Sequence, residues 1–314
     1  MRGAVRLKDI ALRLGVSVNT VSHALRDLPD IGADTKERVK KTASEMGYVA
    51  NKAASFIRTG KSDVITVLIP SLKNPFYMIC LTGIVDYLTD KGYHPLVTRE
   101  RHSLDMDVVL RSVQSGACGV ISFTDVTDEA LAYCRKNEIP LLLCGLKPKR
   151  EDVSAIYCDD DYCGRLVARE ALAEGAKRPC AVILNNTDRH IGFMDELEKQ
   201  GLPCDVYKFN YWTESDSLDG IKRLVKKNRN DFIFCFNDEI AAFLSKAYDE
   251  SGGFEGEIYG EDGIASCLPY SRPVKSVGGN IEEMGRRSAK IIVREIEHYN
   301  GKIVREIFPV KILK

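Results

Sequence analysis

A chain of 314 residues exceeds the roughly 100–200 residues of one ordinary domain, so two or three units are expected. Its content, 44% apolar, 29% charged and 8% aromatic, supplies a full core and excludes a chain dominated by disorder. Basic and acidic side chains balance at 45 each, but residues 1–61 hold twelve Lys/Arg against six Asp/Glu, so a head of net +6 precedes a body of net −6 and only the head suits a polyanion.

Taken in chain order, the first segment, MRGAVRLKDIALRLG, has no long apolar stretch, and no 18-residue apolar run follows anywhere. Neither export nor membrane spanning is therefore expected, and a cytoplasmic chain is. Leu7, Ile10, Ala11 and Leu14 have the spacing of one buried helix face, and Gly15 is placed to end that helix in the left-handed conformation. Ser17 is placed to cap a second helix that buries Val21, Ala24 and Leu25 and turns Val18, Asn19, Ser22 and His23 outward. A third helix, Thr35 to Met46, offers Val39, Ala43 and Met46 to the same small core. Two short helices joined at a tight glycine turn form a helix-turn-helix, whose second helix reads bases in the major groove, although the same spacing also fits a packed hairpin. Asn can pair with adenine and His can donate or accept at a base edge.

The run LKDIALRLGVSVNTVSHALRD followed by TKERVKKTASEMGYVANKAASFIRTGKS resembles the headpiece and hinge of the LacI/GalR family of bacterial repressors. The resemblance rests on V-S-x-x-T-V-S at Val16–Ser22, G-Y-x-x-N at Gly47–Asn51 and R-T-G-K-S at Arg58–Ser62. It implies base reading by Val18, Asn19 and His23 within a DNA face that includes Thr20 and Ser22. Ser17, Tyr48 and Asn51 match phosphate contacts, and a hinge including Ala54 would place Ile57 in the minor groove as a wedge. Arg6 and Gly32 stand where helix-capping residues are usual, Ala50 replaces a Pro, and Ser55 replaces a hinge Arg. His23 replaces a frequent Arg, so an operator different from the common one is implied. Gly60-Lys61-Ser62 mimics the end of a Walker A phosphate loop, but Ser55 stands at its first glycine and the triplet precedes a strand rather than following one.

From Val64 onward short apolar runs alternate with amphipathic segments: VITVLI then Phe76–Lys91, GVISF then Asp128–Asn137, LLLC then Tyr162–Glu174, AVIL then Arg189–Gln200, FIFCF then Asp238–Glu250. That alternation makes parallel sheets with helices on both faces, and so many units point to two Rossmann-like lobes with a ligand at the carboxyl ends of the strands. The resemblance implies an all-α helix-turn-helix headpiece joined to an α/β two-lobed body of the periplasmic-binding-protein type I fold. The expected division is a headpiece at 1–50, a hinge at 51–61, and an effector-binding and dimerisation domain at 62–314. Within that domain, lobe 1 takes about 62–157 and 279–305 and lobe 2 about 158–278 and 306–314, with crossings near Tyr157, Gly278 and Glu306.

By position, Phe76 and Tyr77 match a ligand-stacking pair, Arg189 a ligand-gripping guanidinium, Asn237 a polar strand-end residue and Asp262 the acid after a Tyr-Gly turn. Phe76 and Tyr77 also fit a core at a helix start, and Asn237 an ordinary helix cap. An Arg at a helix N-terminus opposes the dipole, which suggests an anionic or hydroxyl-rich partner for Arg189. Gly145 and Gly279 stand where longer polar residues are frequent, so the effector, of the sugar or sugar-derivative class, is not named by these residues.

The implied partners are double-stranded operator DNA with a palindromic site, a second copy of the chain and the effector. No cofactor, no metal and no catalytic residue is expected: the ten cysteines lack metal-ligand spacing, the nearest pair being Cys158 and Cys163. Reduced thiols are the simple expectation. The competing readings are a sugar receptor sharing the body fold and a nucleotide-fold enzyme. The basic head speaks against the first, and the want of a G-x-G-x-x-G after a strand speaks against the second.

Overall fold

A computed structural model describes residues 5–49, 62–184, 188–208, 221, 223–227, 229–268 and 274–314, and the chain divides into two units, Met1–Lys61 and Ser62–Lys314. The head is built on α1 (Leu7–Leu14), α2 (Val18–Leu25) and α3 (Ala33–Glu45). At the start of α1, where Arg6 offers no capping acceptor, Asp9 supplies one: its carboxylate accepts the Arg6 N–H at 2.8 Å. Gly15 ends the helix at φ 67°, and Ser17 Oγ accepts the Thr20 N–H at 3.0 Å to start the next. Ile10, Ala11, Val21, Ala24, Val39 and Ala43 close a core of six buried side chains, with Leu7, Leu14, Leu25, Met46 and Tyr48 packed around it. Burying an Ile or Val contributes about 1.5–3 kcal/mol, so a core this small leaves helix ends and caps a large share of the head's stability.

The body opens with Ser62, whose hydroxyl donates to the Gly116 carbonyl and accepts the Val64 N–H, so this serine ties strand ends together. Strands β1 (Val64–Ile69), β2 (His94–Arg99), β3 (Ala117–Ser122), β4 (Leu141–Cys144) and β5 (Ser154–Cys158) alternate with helices α4 (Pro75–Asp90), α5 (Met106–Gln114) and α6 (Asp128–Lys136). The second lobe follows with α7 (Asp160–Ala173), β6 (Pro179–Ile183), α8 (Asp188–Glu198), β7 (Asp205–Lys208), β8 (Phe232–Cys235), α9 (Asp238–Glu250), β9 (Glu257–Glu261) and β10 (Lys275–Gly278). The chain then returns through α10 (Ile281–Glu297) and ends on β11 (Arg305–Phe308) and β12 (Lys311–Leu313).

One six-stranded sheet runs β11-β5-β4-β3-β1-β2, all parallel; the other runs β12-β10-β9-β8-β6-β7, with β12 antiparallel. Central strands such as Leu141–Cys144 and Phe232–Cys235 are buried along their whole length, as strands covered on both faces must be. The third crossing falls later than the residue near which the sequence places it. Glu306 pairs with Ile156 inside the first sheet, and the chain changes sheets only between Phe308 and Lys311.

Each lobe holds one unusually close helix pair. A methyl on Gly83 of α4 would lie 1.9 Å from the Glu282 carbonyl oxygen of α10, and one on Gly285 would lie 1.9 Å from that of Cys80. In the second lobe, Gly164 of α7 faces the Arg189 carbonyl at 2.0 Å in the same sense, and Gly192 of α8 faces that of Asp161 at 2.1 Å. Glycine is required at all four places because backbone meets backbone there. All ten cysteines are free thiols, and among the described residues no helix is long and apolar enough to cross a membrane.

Candidate functional site

In the head, the first turn of α2 is exposed. Ser17, Val18 and Asn19 lie on the surface, Val18 being 47% exposed although apolar, and Thr20 and His23 are half-buried. Ser22 departs from the expected outward face: it is 7% exposed, because it follows Val21 into the arc of the helix that packs on the core. Tyr48 packs against that core with part of its surface open. Asn51, Ala54 and Ile57 lie outside the described residues. One feature of the head was not legible in sequence: His23 Nδ1 and Asp30 Oδ2 are 2.5 Å apart, joining α2 to the turn before α3.

In the body, strand ends and helix starts place the remaining candidates. Asn74 caps α4 by accepting the Phe76 N–H at 2.8 Å, with Pro75 in the first turn, and this sets Phe76 and Tyr77 at the helix entrance. Their rings meet edge to face with centroids 5.4 Å apart, and Tyr77 meets Phe123 likewise at 5.5 Å. Gly145, at φ 68°, is in a conformation that strains other residues, and a methyl there would meet the Phe76 ring tightly, at 3.1 Å. Gly279 is more tightly closed, by the backbone carbonyl of Pro309 at 2.6 Å. Aromatic packing and a strand crossing therefore occupy the space that longer polar residues would need.

From the other lobe comes Arg189, in the first turn of α8, and its charge is already matched. Its guanidinium lies 3.2 Å from Glu261, 3.3 Å from Asp262 and 3.4 Å from Asp160, donates to the Phe236 carbonyl at 2.8 Å, and covers the Phe236 ring. The anionic partner suggested for Arg189 by its place on the helix is thus supplied by three carboxylates of the protein itself. Burial works against the arginine's charge, but Glu261, Asp160 and Asp262 more than reverse it and raise its pKa. Burial in turn raises Glu261 well above the ordinary range despite Arg189, and Asp262 to about 7. Sequence reasoning missed Asp160 and Glu261, although the acidic runs Asp159–Asp161 and Glu261–Asp262 were visible.

Asn237 is only 4% exposed and its Oδ1 is taken as the cap of α9, accepting the Ile240 N–H at 2.9 Å. Its neighbour Asp238 clasps the turn that carries Asp262. Asp238 Oδ2 accepts from the Ile264 N–H at 2.7 Å and from the Ser276 hydroxyl at 2.9 Å, while Gly260 leaves room for Oδ1. Burial, then repulsion from Asp262, pushes Asp238 up to about 8. Held this way, Asp262 sits at φ 121°, a conformation costing about 1–3 kcal/mol in a non-glycine residue and typical of places where geometry serves a function. The two lobes feel each other here: burial raises the Tyr77 hydroxyl to about 12, with Asp262 adding to the rise and Arg189 opposing it.

Comparison with known proteins places this geometry. Residues 6–51 match the family model described as bacterial regulatory proteins, lacI family, and residues 62–300 that of periplasmic binding proteins and sugar binding domain of LacI family. The chain is similar to the sucrose operon repressor of Lactococcus lactis subsp. lactis, 24% identical over 317 residues covering 96% of this chain and 97% of that one. It is 25% identical over 299 residues to the ribose operon repressor of Lactococcus lactis subsp. lactis (strain IL1403), covering 92% and 90% respectively. Among solved structures, a lac repressor dimer bound to operator and an anti-inducer superposes with a TM-score of 0.85 at 19% identity, covering 99% of this chain and 98% of that one.

Proposed function

Since this chain belongs to the LacI family of bacterial regulatory proteins and is a transcriptional regulator, we propose that it represses by holding a palindromic operator as a dimer and responds to a small molecule bound between its lobes. The observation that carries the DNA reading is the exposed first turn of α2, where Val18 and Asn19 face solvent at the capped N-terminus of a helix whose other side is core. A recognition helix reads bases from that end. Ser17, Tyr48 and Asn51 are assigned to phosphates and Ile57 to the minor groove. Under this reading the chain acts in the cytoplasm, without catalysis.

For the effector, the observation is the neutralised arginine. With Asp160, Glu261 and Asp262 around one guanidinium, the arginine's charge is offset within the protein and the cleft prefers a neutral hydroxylated ligand over a phosphate or carboxylate. Relatives that are named for sugar operons favour the hydroxylated kind. Phe76 and Tyr77 are assigned to stacking, Asp262 and Arg189 to orienting polar groups.

Selection of bound fragments from genomic DNA by the purified protein tests the first part: enrichment of one palindrome is expected, and recovery of random sequence would defeat it. Thermal shift against neutral sugars, amino sugars and sugar phosphates tests the second. Arg189→Ala and Asp262→Ala are expected to abolish the effector response while leaving operator binding without ligand in place. An unchanged response in both variants would refute the cleft.

A further inference from the structure

Among the described residues Asp30 is an acidic side chain hydrogen-bonded to a base-reading candidate, His23, and its position is built rather than incidental. The turn carrying it is fixed on both sides. Leu28 N–H donates to the His23 carbonyl at 3.2 Å, and Ile31 packs on the core. Asp27, at φ 57°, receives Lys40 Nζ on both carboxylate oxygens at 2.7 Å, and its carbonyl accepts Lys36 Nζ at 3.1 Å. Arg26, whose Nε donates to the Ser22 carbonyl at 3.1 Å, is the remaining charge acting near Asp30. A carboxylate beside the DNA face of a head with net +6 weakens attraction to phosphate, so its presence there calls for a return.

Resting on the DNA reading above, we propose that Asp30 is a positioning residue for specificity: it accepts the Nδ1 hydrogen of His23 and so fixes Nε2 as the atom that His23 presents to a base. The hydrogen bond from His23 holds the Asp30 carboxyl below its usual range, so Asp30 is an acceptor under ordinary conditions and Nδ1 must carry the hydrogen. In the neutral ring Nε2 is then an acceptor, matched to the exocyclic amine of adenine or cytosine. Without Asp30 the ring is free to place its hydrogen on either nitrogen, and the choice of base relaxes.

The experiment is binding-site selection with the full chain for wild type, His23→Ala, Asp30→Ala and Asp30→Asn. His23→Ala identifies the base pair that His23 reads. Asp30→Ala is expected to lose about 5–50-fold of discrimination at that same base pair while binding random DNA at least as tightly as wild type. Asp30 is exposed, so the variants are expected to fold, and Asp30→Asn keeps the side-chain shape as a control. Retention of the wild-type preference at that base pair in both Asp30 variants would overturn the proposal. A wild-type chain that selects no sequence would overturn the DNA reading itself.

Discussion

Arg189 shows how one residue type was legible and its surroundings were not. Its place in R-x-x-G-F and that of Asp262 after Tyr259-Gly260 were legible through the resemblance to the LacI/GalR family, which matches both positions, and not through periodicity. Glu261 was not, since a single buried carboxylate at a strand end has no period to betray it. Asp30 was not either: its bond to His23 depends on the turn geometry at Asp27. A pH dependence follows from the buried acids. Asp238 and Asp262 are raised to about 8 and about 7, against about 3.9 for an ordinary Asp. The folded body thus holds protons that the unfolded chain releases above pH 4 or so. Their contribution is fully present below that value and is lost as pH rises through 7 to 8. The melting temperature of the body is expected to fall between pH 5 and pH 8.5, and Asp238→Asn to make the fall shallower. Parallel curves for the two proteins would contradict this assignment.

At the scale of elements, the close pair α7 and α8 is what brings Asp160 and Arg189 within 3.4 Å of each other. A side chain at Gly192 forces the two helix backbones apart, and overpacking of this kind costs about 1–3 kcal/mol. Gly192→Ala is therefore expected to lower the melting temperature by several degrees and to weaken the effector response, with operator binding by the head unchanged. Calorimetry and binding assays on the same preparation check both halves; a full response at wild-type stability would show that the pair tolerates separation. Elements with a strong local signal were legible: α9 spans Asp238–Glu250 as the sequence indicates, because Asn237 caps it and the strand before it is uniformly apolar. Edge strand β2 was not, since HPLVTR is mostly exposed and begins with a His-Pro pair. Nor was α10 singled out, although its buried face includes Ile281, Met284, Ile291 and Ile292, because the strand before it, Lys275–Gly278, is short and not uniformly apolar.

For the whole molecule, the split of charge between a head of +6 and a body of −6 separates two jobs. Affinity for DNA is expected to drop on the order of a thousandfold between about 50 and 200 mM salt for a dimer neutralising about six phosphates, and the body alone, residues 62–314, is expected to bind no DNA at either. Filter binding across a salt series decides it; a flat affinity would remove the electrostatic account. The order in which the chain is synthesised gives the close pair of α4 and α10 a second meaning. Gly83 and Gly285 are 202 positions apart in translation, and β11, at Arg305–Phe308, completes the first sheet later still. A ribosome that has made the head and most of the body has not yet supplied the helix on which α4 rests. The three-helix head, held by contacts among its first fifty or so residues, is able to fold early. Ribosomes that stall late would then release a folded head on an unfinished body, a species for chaperones and proteases to clear before it competes for operator sites.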